Sequence, residues 1–371
     1  MTTSTTEFGK WRAKLWPVHN FELKKVVPMV LMFFLILFNY TILRDTKDTL
    51  VVTAAHGSAV IPFLKLWGVL PAAILFMLGY AKMANKLSKQ ALFYATVIPF
   101  LVFFALFATV FYPFREFLHP TAFCDQMQAV LPSGFKGLID VVKNWSFSLF
   151  YIMSELWGSV ALSLLFWGFA NDINKKSEAM RYYTVFAMFA NVSLILSGRF
   201  IQWASKARAN IISDDPWQVS LNYMMSLVVL AGIAIIGIYW WMNKNVLTDK
   251  KLYNPPEKKI SSKKKPKLSV KESLLYIVRS KYLGCIAILT LSYGLCINLV
   301  EVVWKNQIHL QYPNYNDYSA FMGRFSETTG YVTIVLAFFL GGTVIRKFGW
   351  GKTAIITPIM LLITGVAFFS F

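Results

Sequence analysis

Residues Val26–Leu43 read VVPMVLMFFLILFNYTIL, eighteen positions without a charge. They run directly into Arg44-Asp45-Thr46-Lys47-Asp48, and then into Thr49-Leu50-Val51-Val52-Thr53-Ala54-Ala55. At about 1.5 Å per residue the first stretch alone nearly matches the hydrocarbon core of a bilayer. Apolar sequence on both sides of the charges predicts that the helix continues and embeds them. A solvated loop is the competing reading, and the apolar tail speaks against it.

Working outward, eight more runs are long enough to cross: Ala59–Ala81, Ala91–Phe114, Trp145–Ala170, Tyr182–Gly198, Val219–Met242, Tyr282–Val300, Thr328–Ile345 and Thr353–Phe371. Seven of the nine runs carry no charge, and the other two hold one each, Lys65 and Glu155. Lipid leaves an open strand edge unsatisfied, so each run is a helix and the chain is an all-α polytopic membrane protein. Composition agrees. Of 371 residues, 56% are apolar and only 15% charged, more apolar surface than a soluble domain of this size hides. The same figures exclude a disordered chain or a collagen-like fibre. Three cysteines (Cys124, Cys285, Cys296) make no disulfide framework.

The net charge of +19 is distributed unevenly. Loops on the N-terminal side of the membrane hold 26 Lys/Arg and the opposite loops 10. That bias predicts a cytoplasmic N-terminus and contact with anionic membrane lipids. The stretch Lys258–Lys267 (KKISSKKKPK) reads as a linker between spans, so no nucleic acid is expected as a partner. The N-terminus has neither a cleavage site nor transit-peptide character, so the first run is a true span.

The longest polar segment, 243–281, divides the chain into a cytoplasmic 1–25, a six-helix half over 26–242, the linker, and the start of a second half over 282–371. Two echoes cross it: Tyr80–Gln90 (YAKMANKLSKQ) with Gly342–Lys352 (GTVIRKFGWGK), and Tyr40…Asp48 with Tyr293…Asn298…Glu301. Repeated halves around a central loop are the build of many secondary transporters, and the second echo resembles the turn motif of the major facilitator fold. By that logic about three spans of the second half would lie beyond Phe371, so the chain reads as the N-terminal portion of a longer protein.

An ionised group at mid-bilayer costs about 2.5–3.5 kcal/mol on the insertion scale and usually lines a cavity. Glu155 sits ten residues into its span, beside Gly158, Ser159, Leu162 and Ser163; a protonated acid hydrogen-bonded between helices is the plainer reading. Arg44, Lys47 and Asp48 share a helix face. Glu301 and Lys305 have the i,i+4 spacing of an ion pair, by default a surface pair. Lys65 is expected to snorkel to the outer interface, and Arg199 to anchor a helix end. Both signs inside a membrane suit an anionic substrate held by Lys/Arg, with carboxylates coupled to conformational change. No metal-ligand spacing or catalytic constellation is present, Gly351-Lys352-Thr353 lacks the earlier glycine of a P-loop, and an enzyme is not expected. Apolar residues of 112–143 are expected to rest on the membrane surface.

Ile42–Leu50 (ILRDTKDTL), Ser154–Val160 (SELWGSV) with Phe166–Asn171 (FWGFAN), and Asn298–Lys305 (NLVEVVWK) resemble the nucleotide transporter family of plastids and obligate intracellular bacteria, which exchanges ATP for ADP. The resemblance implies a twelve-helix, major-facilitator-like bundle and import of host ATP against ADP, with no cofactor. It also implies that Lys47, Glu155 and Glu301 match the transport-critical lysine and carboxylates. Lacking a plastid address, the chain falls with the bacterial branch, in the inner membrane of its cell. Arg44, Asp48, Lys305 and Asn298 join the candidate site, and Tyr151 or Trp157 would stack on adenine. Two rival readings remain: proton-coupled net import of nucleoside triphosphates, and a membrane binding or assembly protein with no transport cycle.

Overall fold

The computed structural model describes residues 9, 12, 16–54, 57–207, 214–249, 252, 253, 276, 279–340 and 343–370. Most of the expected linker therefore lies outside the described residues. Among the described residues nine long helices follow in order: α1 (Leu23–Ala54), α2 (Gly57–Lys86), α3 (Lys89–Phe111), α4 (Trp145–Ile173), α5 (Lys176–Lys206), α6 (Pro216–Asn245), α7 (Lys281–Gln311), α8 (Tyr315–Leu340) and α9 (Thr343–Ser370).

Seven helices among the described residues, the one containing α1 and α2–α7, are long and apolar enough to cross a membrane. Nine were expected. The eighth run is recruited into α8, which starts at Tyr315 and so takes in Asp317, Arg324 and Glu327. The basic turn expected before the ninth run appears as a break in α9 at Gly349, whose φ of 77° and ψ of 165° leave helical space, and the apolar helix that follows, Ile355–Ser370, is short.

Two helix boundaries matter for the site. α1 does not stop at Leu43 but carries Arg44–Asp48 on to Ala54, as the flanking apolar sequence predicts. α7 does not stop at Val300 but continues eleven residues to Gln311, so Lys305, expected near a surface, stands inside the bundle. α1 has 61% of its most apolar window buried, and Asp45–Val52 are buried as a continuous run. It packs against α4, α5, α6 and α8. α2 and α7 are the outer helices, with 17% and 0% of their most apolar windows buried.

Aromatic side chains fill the space between α3, α4 and α6. Phe107 and Phe150 sit 4.4 Å apart, and Phe93 stacks on Tyr239 at 3.8 Å. α5 and α8 meet differently, backbone to backbone. A methyl group on Gly198 would lie 2.5 Å from the Gly323 carbonyl oxygen, and one on Gly323 would lie 2.7 Å from that of Gly198. Only glycine allows so close a crossing. The segment 112–143 forms three short helices, tied to the start of α6 by a 2.7 Å Arg115–Asp215 bridge.

Candidate functional site

The five charged or polar residues after Leu43 contain neither Gly nor Pro, so nothing in them ends the helix, and α1 delivers Lys47 and Asp48 to the interior. The Lys47 and Asp48 side chains are each 2% exposed. The Lys47 Nζ lies 2.7 Å from Asp48 Oδ1 and 3.0 Å from Glu155 Oε1 on α4. Its ammonium also sits 4.0 Å above the centre of the Tyr151 ring, one turn before Glu155, a cation–π contact.

Asp48 gives each oxygen a lysine of its own. Its Oδ2 lies 2.7 Å from Lys305 Nζ on α7. Lys305 reaches Glu301 Oε1, one turn back, at 2.5 Å. Glu301 divides its oxygens in the same way, Oε2 lying 2.8 Å from Lys65 Nζ on α2, and Lys65 donates to Asn298 Oδ1 at 2.6 Å. The result is one line of alternating sign: Glu155, Lys47, Asp48, Lys305, Glu301, Lys65, Asn298. Three lysines meet three carboxylates, and the line is neutral. Its middle is sealed, while Glu155, Glu301 and Lys65 are 28%, 25% and 30% exposed. Pairing is what makes it tolerable, because an isolated ion here would cost several kcal/mol.

The expected site residues thus meet, with two corrections. Arg44 shares a helix face with Lys47 by spacing but belongs to another cluster: its Nε lies 3.0 Å from Asp45 Oδ1, its Nη2 donates to Ser326 Oγ at 2.8 Å, and that hydroxyl donates to Asp45 Oδ2 at 2.7 Å. Lys65 does not snorkel; it closes the line on α7. Trp157 is 1% exposed in this conformation, T-shaped to Phe100 and Phe104, with its indole N–H toward the Ile36 carbonyl at 3.5 Å. Tyr151 is buried too, with one face turned to Lys47.

Sequence reasoning passed over Asp45 and Ser326. Asp45 is fully buried, and its position inside an embedded charged segment was the available signal. Arg199, expected as an end anchor, instead bonds across to α8, with Glu327 at 2.7 Å and the Tyr331 hydroxyl at 2.5 Å. α4 changes to π-helix over Gly158–Phe166, just past Glu155, where the Tyr40 ring packs on Gly158. A π segment shifts the facing of later side chains and is common at functional sites. The six charged groups are drawn onto one another: a hollow of about 350 Å³ beside Gly57, Phe63, Lys136 and Asp140 is lined by none of them.

A family model described as "TLC ATP/ADP transporter" matches residues 1–371. ADP,ATP carrier protein 1 of Chlamydia pneumoniae is 56% identical over 371 residues, covering 99% of this chain and 72% of that protein. ADP,ATP carrier protein 1 of Rickettsia prowazekii is 42% identical, with 100% and 74% covered. The chloroplastic ADP,ATP carrier protein 1 of Arabidopsis thaliana is 50% identical, with 96% and 56% covered. No solved structure matches. The polytopic helices, the buried line of lysines and carboxylates, and a match along the whole length converge on transporters and away from enzymes: the chain belongs to the TLC ATP/ADP transporter family.

Proposed function

We propose that this protein exchanges ATP for ADP across the membrane by alternating access, taking up ATP from outside; relatives named ADP,ATP carrier proteins support the choice of nucleotides. The observation that carries the reading is the neutral line from Glu155 to Asn298, in which every lysine that would grip a phosphate is already held by a carboxylate. A polyphosphate tail is a chain of anionic oxygens and competes for those same lysines. Lys47 and Lys305 take the tail, Lys65 and Arg44 lie at the margins, and Glu155, Asp48 and Glu301 are the groups displaced.

Exchange follows from the same pairing. Pulling α7 away from α1 and α2 without a ligand strips Asp48 of Lys305 and Glu301 of Lys65, at a cost of about 3–5 kcal/mol for the buried Asp48–Lys305 pair and less for the partly exposed one. Phosphate oxygens offset that cost by satisfying the lysines, so the loaded carrier reorients and the empty one stays shut. The division into a half over 26–242 and the beginning of a second over 282–371 supplies the moving bodies. With the N-terminus cytoplasmic, Lys47 lies about 36 Å along α1 at helical rise and the line closes the outer end. The family and the basic cytoplasmic loops fit the inner membrane of an intracellular bacterium.

Counterflow in proteoliposomes tests this. Labelled ATP accumulates when ADP is loaded inside and not when the vesicles are empty. Uptake into empty vesicles driven by a pH gradient would replace exchange with proton-coupled import, and absence of any counterflow would leave a binding protein.

A further inference from the structure

Among the described residues, two tyrosine hydroxyls at the charged line are buried without a hydrogen-bond partner. Tyr151 on α4 and Tyr318 on α8 are both 0% exposed. Neither hydroxyl finds a donor or acceptor. Both stand within electrostatic reach of Lys47, Asp48 and Glu301. Carboxylates accept readily from a phenolic O–H, yet the carboxylates of this line are taken by lysines and both hydroxyls are left over. A buried hydroxyl left unmatched is a net cost to the fold, one that phenylalanine would avoid at either position.

We propose that Tyr151 and Tyr318 are hydrogen-bond donors to the phosphate tail of the nucleotide, idle while the line is closed and engaged once phosphate has displaced the carboxylates. The inference rests on the nucleotide-exchange reading above and extends it to two residues that grip without charge. Their placement adds a consequence. Tyr151 precedes the 243–281 linker and Tyr318 follows it, so a tail bonded to both ties the two groups of helices together. The Tyr151 ring keeps its place under Lys47 whether or not the hydroxyl is present, so a phenylalanine there removes the donor and leaves the cation–π contact.

The test is the pair of single substitutions Tyr151→Phe and Tyr318→Phe in the whole carrier, assayed for ATP/ADP exchange in proteoliposomes and for thermal unfolding without nucleotide. Each is expected to raise the KM for ATP about 10-fold, the size of a lost hydrogen bond to a charged group, with kcat changed less than about threefold. The nucleotide-free unfolding temperature should hold or rise, because an unmatched polar group has gone. A KM within twofold of the parent in both variants overturns the proposal, and so does a lowered nucleotide-free stability with unchanged KM, which would make the hydroxyls structural. Should one variant fail to fold, the other decides. Parent carrier without exchange rejects the underlying reading and this one with it; parent exchange with unmoved variants rejects this one alone.

Discussion

Lys305→Met separates a buried ion pair from an exposed one at equal distance. Lys305 stands 2.7 Å from Asp48, with both side chains 2% exposed. Lys89 stands 2.7 Å from Asp172, with 82% and 51% exposed. Coulomb attraction at one distance is set by the surroundings, and so is the penalty for losing a partner. Lys305→Met leaves Asp48 with one lysine for two oxygens and removes one of the two lysines on Glu301. The expected loss is about 3–5 kcal/mol, nearly all of it the cost of charge left buried and unmatched. Lys89→Met should cost no more than about 1 kcal/mol. Reversible SDS unfolding in mixed micelles measures both. A double variant, Asp48→Asn with Lys305→Met, removes the stranded charge and should recover at least about 2 kcal/mol relative to the sum of the singles. The reasoning fails if Lys305→Met costs no more than Lys89→Met, or if the two substitutions at the buried pair simply add.

Three further outcomes are expected. Gly198→Leu places a branched side chain where even a methyl lies 2.5 Å from the Gly323 carbonyl oxygen, so it should wedge α5 from α8; in a cysteine-free background, Ser326→Cys should then react faster with an impermeant external thiol reagent, and unchanged labelling would count against the seam. Trp157→Ala should cost about 3–5 kcal/mol of stability as an emptied core site, whereas Trp157→Phe should leave the KM for ATP in place; a raised KM would return that ring to the nucleotide. His119, between the short helices and bonded to Ser146 at 2.7 Å, has its pKa lowered by burial and by Arg115. Its neutral form is therefore favoured by folding, so its contribution is present above its ordinary range and is lost as pH falls through the lowered value; His119→Gln should flatten that acid limb of an unfolding profile.

The first seven spans were legible because hydropathy measures the cost of water against lipid, and these stretches are apolar enough for either lipid or protein around them. Their ends were legible only in part. The passage of α1 through Arg44–Asp48 could be read from the apolar residues beyond them, but α7 runs on through Glu301 and Lys305 with no such signal, because the groups that meet them come from distant parts of the chain. Lys65 shows the limit most clearly. A lone lysine six residues into a span fits an interfacial anchor, and the partner that draws it inward, Glu301, stands 236 positions away. Glu155 and Lys47 were found from the cost of their charges, which needs no knowledge of partners. Trp157 packs on Phe100 and Phe104, and an aromatic residue near a site reads the same from sequence whether its neighbour is a base or another ring.

The contacts that cross the linker differ in kind from those within the first six helices. Inside that group the packing is Phe on Phe, Phe on Trp and Leu101 against Gly232, apolar surface that costs heavily to expose. Across the linker Trp217 stacks on Tyr315 at 5.6 Å and Ile308 and Met322 join the same core, but hydrogen bonds, ion pairs and glycine contacts recur beside them. Ser58 donates to the Val302 carbonyl at 2.6 Å, Ser205 meets Ser319 at 3.0 Å, Ser220 meets Asn316 at 2.6 Å, and Arg44 with Asp45 clasps Ser326. To these add the Asp48–Lys305 and Lys65–Glu301 bridges, the Arg199–Glu327 pair, and the glycine crossing of α5 with α8. A hydrogen bond between neutral groups returns most of its energy when water takes its place, so such a surface separates at modest cost. Buried ion pairs do not, because water entering one place leaves charges stranded in another. On the exchange proposed above, the neutral bonds would set how easily the helices on either side of the linker part, and the lysine–carboxylate line the condition under which they do. Weakening Ser205 or Ser220 should speed movement of loaded and empty carrier alike, whereas weakening the Asp48–Lys305 bridge should raise empty-carrier leak relative to exchange.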